Sequence, residues 1–434
     1  MKLDYGWTSP RDFQRWGPYA TYGRSAASEV RVAWQSKFYS TSAWLEFWEA
    51  PSGERRRLEL DADPPRRLFW FALDGLRPGA EYRFQTSRPE DHAGGGDPPT
   101  YAFRTAPPDD SPEPFEFLVV GDVHARDGSA RTLFEVAKRC VPGASFAASC
   151  GDAVTHGGRE EAWNEFFWCL DPFLPGLPVV HATGNHDTDH PETYAAFLRA
   201  FPQPYVDPAN GAYFDVVHGN AALVVLDSTN AGQTSATQGL VSDEQLDWLD
   251  ATLARHHRAG RWKFVFLHHP VFSTGDSGTM KVYQLAYGDL FAEHQVDAAF
   301  YGHDHQFEAY WADRDADWGG THYFCVGNGG PELGLKAMDR LADPPPTYLW
   351  EGRTLVVSED GVPDGRFGGP RDDESVAKWQ VYGALETGFT QVRVEGDACL
   401  VRAWDLNGRV LFEDSFARTG AGKRYHPPRV ALRR

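Results

Sequence analysis

The sequence predicts an all-β domain followed by an α/β domain, and three observations carry that reading. From about residue 20 to 107, short β-type runs are broken by Gly and Pro clusters at close intervals, the pattern of a β-sandwich. Residues 106–114 (APPDDSPEP) are rich in Pro and acid and read as a linker. Beyond them, apolar runs short enough for buried strands alternate with segments of helical spacing, the α/β pattern. The boundaries that follow are 1–107 for the sandwich, 108–114 for the linker, 115–416 for the α/β domain and 417–434 for a basic, Pro-containing tail expected to be an exposed extension.

In the first part the expected strands are Glu29–Gln35, Ala43–Glu49, Arg55–Leu60, Arg67–Ala72 and Thr100–Thr105. The run LRPGAEYRF (Leu76 to Phe84) resembles the corner of fibronectin type III and related sandwiches, where a Tyr at the place of Tyr82 bonds back to the chain. In the second part Phe115–Val120 is a strand, and Leu133, Val136, Ala137 and Cys140 follow at helical spacing. Ser145–Cys150 and Leu177–Ala182 are strands, with a helix over Glu160–Leu170 between them. Gly211–Val217 and Ala221–Asp227 form a hairpin turned at Gly219-Asn220. Ser242 with Gln245 is a capping box that starts a helix, and Gly260 ends it. Lys263–Leu267, Val296–Tyr301 and Tyr323–Val326 are further strands, and Gly388–Val394, Ala398–Asp405 and Val410–Asp414 close the domain as antiparallel strands.

The composition is that of a folded protein: 434 residues, 41% hydrophobic and 24% charged. No run of 18 apolar residues is present, so no membrane-spanning helix is expected. No export signal is visible, which gives a cytoplasmic expectation, or a secreted or periplasmic one if a signal was removed. Against 42 basic residues stand 61 acidic ones, and a formal charge of -19 repels nucleic acid and anionic membrane at long range. Cationic metal ions in a local pocket escape that argument. The five Cys are an odd count with no CxxC pair, so reduced thiols are expected and Cys150 reads as a small buried wall residue.

Each strand of the second part ends in a polar turn. Gly121-Asp122-Val123-His124, Gly151-Asp152, Gly184-Asn185-His186-Asp187, His268-His269-Pro270 and Gly302-His303-Asp304-His305 follow five apolar runs in turn. In an open α/β sheet, ligands bind at the carboxyl ends of the strands, so the five turns converge on one crevice. Asp122, His124, Asp152, Asn185, His268, His303 and His305 mix imidazole with carboxylate, which suits Zn, Fe or Mn. That is more than one ion needs, and a bridging carboxylate lets such a set hold two. A Gly before Asp122, Asp152, Asn185 and His303 lets the backbone turn sharply. GxSxG is absent, which removes the common serine-hydrolase reading.

These blocks resemble the calcineurin-like metallophosphoesterases, the superfamily that includes the purple acid phosphatases, over roughly residues 115–330. The resemblance implies four layers, two β-sheets between helices. It implies that Asp122, His124 and His305 hold one ion, Asn185, His268 and His303 a second, and that Asp152 bridges them. His186 would protonate the leaving group or steady phosphoryl oxygens, with Asp187 orienting it. The preceding β-sandwich resembles the N-terminal domain of plant-type purple acid phosphatases. Two departures matter. Those enzymes bind Fe(III) partly through a Tyr three residues after the bridging Asp, where this chain has Thr155, and they lack a His at the place of His124. No tyrosinate colour is therefore expected.

The implied activity is hydrolysis of small phosphate monoesters by in-line attack of a metal-bound hydroxide on phosphorus. A phosphodiesterase acting on small diesters and a non-catalytic binding protein are the alternatives. Arg126, His156, His190 and His269 are candidate substrate contacts by their place near the blocks. Asp304 is a candidate to tune His303 or His305, and Asn328-Gly329-Gly330 a candidate pocket floor.

Overall fold

The fold follows from where apolar faces of strands and helices find cover. The computed structural model describes residues 16–430 apart from 94–96, 127, 175, 189–190, 210, 230–240, 276, 332, 334–346, 351–352, 357–377 and 420–421. In chain order the first part holds β1 (Trp16–Tyr22), β2 (Val30–Glu49), β3 (Arg56–Leu73), β4 (Glu81–Thr86), a short 3-10 turn at Pro89–Asp91 and β5 (Tyr101–Arg104). Then come β6 (Phe115–Val120), α1 (Ser129–Cys140), β7 (Ala144–Ser149), α2 (Glu160–Leu170), β8 (Val179–His181) and α3 (Pro191–Ala200). Next are β9 (Phe214–His218), β10 (Ala221–Val225), α4 (Asp243–Arg258), β11 (Trp262–Phe266), α5 (Lys281–Glu293), β12 (Ala298–Tyr301), β13 (Phe307–Ala312) and β14 (Thr321–Val326). A hairpin of β15 (Thr347–Trp350) and β16 (Arg353–Val356) precedes β17 (Gln380–Ala384), β18 (Gly388–Glu395), β19 (Ala398–Asp405), β20 (Val410–Thr419) and β21 (Gly422–Val430).

In the first part, four expected strands are two. β2 joins the first pair and β3 the second, and the two run side by side with register breaks between Gln35 and Ser42. Before the break β2 pairs with β1, and after it with β4. Bulged residues bend a strand without ending it, which is why Ser36–Ser42 separates two expected strands in the sequence and joins them in the structure. β1, which the sequence did not announce, docks this part on the second. Trp16 stacks on Phe167 of α2 with ring centroids 4.8 Å apart, and Tyr19 lies 4.5 Å from the same ring. The Trp16 indole donates to Asn164 and the Tyr19 hydroxyl to the Ala200 carbonyl. Gln35 and Arg67 both reach Glu160 at the start of α2.

The second part has two seven-stranded sheets, ordered β21-β20-β19-β18-β6-β7-β8 and β17-β13-β14-β12-β11-β10-β9. Their inner faces share one core: Phe117, Phe146, Phe264, Phe266, Phe300, Phe324 and Phe412 are buried in one cluster. Outside the first sheet, Leu118 and Val120 meet Leu133, Phe134 and Val136 of α1 and Phe166 of α2. Outside the second, Val224, Val265 and Ala299 meet Leu249 and Leu253 of α4 and Tyr283, Tyr287 and Phe291 of α5. Helix, sheet, sheet, helix is the layering that the resemblance implied. The Ser242 cap on the Gln245 N–H is present, and so is Gly260 in the left-handed conformation after α4. Among the described residues no helix is long and apolar enough to cross a membrane.

One expectation is corrected. The tail from residue 417 is not a solvated extension throughout: β20 runs to Thr419, and β21 pairs with it antiparallel as the edge strand of the first sheet. The reason is electrostatic. Asp297, buried before β12, lies 2.7 Å from the Arg418 guanidinium and 3.2 Å from Lys423 Nζ, so the basic tail supplies cations to an interior carboxylate.

Candidate metal centre

β6, β7 and β8 are parallel in one sheet, and β10, β11, β12 and β14 are parallel in the other. The turns at their carboxyl ends therefore meet at one edge of the sheet pair, as the motif order required. Asp122 and His124 follow β6, Asp152 follows β7, Asn185 and His186 follow β8, His268 and His269 follow β11, and His303 and His305 follow β12.

The backbone there is unusual in a specific way. Asp122, His124, Asp152 and His303 all have positive φ, at 52°, 42°, 53° and 70°. An L-residue in that region costs about 1–2 kcal/mol, so each needs support. The N–H of Asp122 donates to the Gly151 carbonyl, that of His124 to the Asp152 carbonyl, and that of His303 to Asp122 Oδ2 at 2.8 Å. The sharp turn thus falls on the ligand candidate itself more than on the Gly before it. Gly184 and Gly302 serve another purpose: a Cβ on Gly184 would sit 2.1 Å from Asp152 Oδ1, and one on Gly302 2.0 Å from Asp122 Oδ2.

All seven candidate ligands come together. His124 Nε2 lies 3.2 Å from His305 Nε2, and His305 Nε2 lies 3.5 Å from Asp122 Oδ1. Asn185 Oδ1 lies 2.8 Å from His268 Nε2 and 3.0 Å from His303 Nδ1. Asp152 Oδ2 stands between the two groups, 3.6 Å from His124 Nε2 and 3.4 Å from His268 Nε2. Asp122, His124, Asp152 and His268 are buried, while Asn185, His186, His303 and His305 are half-buried and form the open side.

Charge in this cluster is unbalanced without cations. Burial opposes the Asp152 carboxylate, yet the His268 imidazole, His124 and His186 outweigh it and hold its pKa well below the usual range. Burial likewise opposes protonation of His268, but the charge and hydrogen bond of Asp152 win and raise it to about 10. His303 has burial and the neighbouring His268 against it and falls to about 4. A buried carboxylate and imidazole that each favour the other's charged form make a donor set suited to a cation. His268 Nδ1 donates to the Cys150 carbonyl at 2.8 Å, which leaves Nε2 as its ligating atom. Asp122 Oδ1 is buried without a hydrogen-bond partner. Three overlapping triads have their ligand atoms within 4.8 Å of one another: Asp122, His124 and His305; His124, Asp152 and His186; Asp122, Asp152 and His268. The residues fit metal ions.

His186 lies at the centre, its ring 4.9 Å from that of His124. Asp187 does not orient it, and this corrects the expectation. The carbonyl of Thr155 accepts from His186 Nδ1 at 2.9 Å. The Asp187 carboxylate points back into the protein, where it accepts from the N–H groups of Asp152 (2.9 Å), Gly184 (3.1 Å) and Val154 (3.3 Å), and lies 3.3 Å from His181 Nε2. It ties the turn after β7 to the turn after β8.

Of the candidate substrate contacts, His269 is buried beside His303 and His268, with ring centroids 4.6 and 5.1 Å away. Arg126 is half-buried and His156 exposed. His190 lies outside the described residues. Asp304 accepts the Ser277 N–H at 2.8 Å and so anchors the loop after His269. Gly329 donates its N–H to the Gly121 carbonyl, which makes this strip a floor under the Asp122 turn. Sequence reasoning missed Ser228, Tyr283 and Glu308. Buried Glu308 accepts from the Ser273 hydroxyl at 3.0 Å and from the Thr274 N–H, and so fixes the same loop. The only sequence signal for Tyr283 was its spacing with Tyr287 and Phe291.

Residues 115–307 match the family model described as calcineurin-like phosphoesterase. Purple acid phosphatase 21 of Arabidopsis thaliana is 25% identical over 352 residues, 76% of this chain and 76% of its own. Phosphoenolpyruvate phosphatase of Allium cepa is 23% identical over 274 residues, 57% of this chain and 54% of its own. Among solved structures, a purple acid phosphatase from yellow lupin (Lupinus luteus) seeds superposes with a TM-score of 0.70 at 16% identity, over 91% of this chain and 73% of that one. A structure of PhoD gives 0.63 at 12% identity, over 96% of this chain and 93% of that one. The two structures share this fold.

Proposed function

We propose that this chain, whose residues 115–307 match the calcineurin-like phosphoesterase model, is a phosphoric ester hydrolase that removes phosphate from small phosphate monoesters at the centre described above. The observation that carries the reading is Asp152 Oδ2, set between one group of imidazoles and another at 3.4–3.6 Å. Asp122, His124 and His305 would hold one ion, Asn185, His268 and His303 the other, and Asp152 would touch both. The set suits Mn, Fe or Zn. Bound there, such ions would supply Lewis acidity, lowering the pKa of water and offsetting charge on a phosphoryl group.

The chain's own residues do the rest. The Thr155 carbonyl holds the Nδ1 proton of His186, so the doubly protonated ring would pass its Nε2 proton to the departing oxygen and be left as the Nδ1–H imidazole. The Asp187 carboxylate keeps the two ligand-bearing turns at fixed separation. Thr155 offers no phenolate where plant-type enzymes have Tyr, so no tyrosinate band should colour the protein. The first part reads as a fibronectin type III-like sandwich. Its support is the Tyr82 hydroxyl, which accepts the Arg77 N–H at 2.8 Å.

The test is hydrolysis of nitrophenyl phosphate against its bis ester, after chelation and after return of Mn²⁺ or Zn²⁺, with metal analysis alongside. The monoester should be the better substrate, and activity should return with about two ions per chain. A better rate on the bis ester would make the enzyme a phosphodiesterase. No turnover of either under any metal would favour a binding protein and end the proposal.

A further inference from the structure

Ser228, three residues beyond β10, lies against the start of the loop that follows β11. Its hydroxyl oxygen receives the backbone N–H of His268 at 3.2 Å and that of His269 at 3.0 Å. The same oxygen is 3.0 Å from His269 Nδ1. Two N–H groups occupy its two lone pairs, so the single hydroxyl proton is what points at Nδ1. A His269 ring that accepts at Nδ1 carries its proton on Nε2. A proton on Nδ1 would meet that saturated oxygen and would have to turn to the Tyr283 hydroxyl oxygen, farther away at 3.5 Å, so the geometry favours the Nε2–H tautomer.

Tyr283 of α5 fixes the plane of that ring. It stacks on His269 with centroids 5.3 Å apart and planes 16° from parallel, and its hydroxyl donates to the Ser228 carbonyl. His269 Nε2 has no hydrogen-bond partner among the described residues. The ring lies beside His303, which is on the open side of the metal centre.

We propose that His269 is a substrate-binding residue, an Nε2–H donor to an anionic oxygen of the phosphate group, and that Ser228 is the positioning residue that sets its tautomer. This rests on the phosphoesterase reading and adds to it a fixed donor of one polarity. A neutral N–H favours a phosphate oxygen over a metal ion at that edge, so His269 should not add to the ligand set.

Long-range ¹H–¹⁵N correlation on labelled protein, metal-free and metal-loaded, reads the tautomer directly. His269 should give the Nε2–H pattern in both forms, and Ser228→Ala should lose it while Ser228→Thr keeps it. In the loaded enzyme, His269→Gln should raise both KM for nitrophenyl phosphate and the inhibition constant of inorganic phosphate by about 10-fold or more, with metal content unchanged. Ser228→Ala should move the same two constants in the same direction. An Nδ1–H pattern in the native protein, or unchanged phosphate binding in both variants of an active enzyme, overturns the proposal. An inactive native enzyme overturns the reading beneath it instead. If His269→Gln does not fold, the Ser228 pair decides the matter alone.

Discussion

The parallel strands of the two sheets in the second part end in two differently charged places. At their carboxyl ends, Asp122 and Asp152 sit among imidazoles in a donor set that fits metal ions. At their amino ends, one buried carboxylate has cations from the chain itself. Asp297, just before β12, lies 2.7 Å from Arg418, 3.2 Å from Lys423 and 3.6 Å from Lys263 at the start of β11. Burial pushes Lys423 down to about 8 against the pull of Asp297, while the three cations outweigh burial and hold Asp297 far below the carboxylate range. His218, at the end of antiparallel β9, is on this side too. Its ring lies 4.6 Å from Phe115 and 5.0 Å from Phe146, and neither nitrogen has a partner among the described residues. Exchangeable charge is at one end and permanent charge at the other. The first end suits chemistry because its donor set takes its cations from outside the chain, and the second can hold the fold because its cations are the chain's own.

Breaking each end should have a different signature. Asp152→Asn, the largest effect, should cut turnover at least about 100-fold and lower metal content, while thermal melting of the metal-free protein barely moves. Unchanged metal content would mean that Asp152 is not shared. Asp297→Asn should do the reverse. It strands three cations around a neutral amide at a cost of about 3–5 kcal/mol, seen as a lower urea midpoint, with metal content per folded chain intact. A variant as stable as the parent would show that the tail strand is held by pairing alone.

Smaller effects sharpen the contrast. Asp187→Asn should weaken metal affinity by roughly 10–100-fold, because the turns after β7 and β8 lose a common acceptor. A change in the pH profile of turnover without a change in metal affinity would return Asp187 to the role of orienting His186. The smallest effect concerns His218. Burial lowers its pKa from 6.5 to about 3, so between those values the unfolded chain binds more protons, and stability falls as pH falls below 6.5. At pH 5 the loss is about 2 kcal/mol relative to pH 7. His218→Phe should abolish that part of the slope in urea unfolding and leave turnover at pH 7 untouched.

Much of this could be read in the sequence, for a physical reason. A buried parallel strand must be apolar along its length, and a polar turn at its end is then conspicuous. The five motif turns, the Ser242 cap and the hairpin at Gly219-Asn220 were all legible in that way. What stayed hidden depends on contacts between distant positions. Asp187 is next to His186 in the chain, yet its carboxylate turns toward Asp152 and Gly184. Ser228 belongs to no motif and matters only because β10 lies beside β11. Lys423 and Arg418 look like solvent-facing charge until Asp297 is seen beneath them. The bend in β2 was hidden because Lys37, Phe38 and Tyr39 lie on an exposed stretch of a continuing strand, where no alternation of buried and exposed side chains marks it.

The sheet that carries Asp122 has a temporal consequence. β6 lies between β7 and β18, with Val119 opposite Thr390 and Phe115 opposite Val394. During translation, β6 therefore leaves the ribosome with one bare edge and keeps it until residues 388–395 emerge. An uncovered edge recruits foreign strands. Nascent chains already holding every motif residue should still need chaperone shelter, and stop codons downstream of His305 should yield aggregates in place of a smaller enzyme.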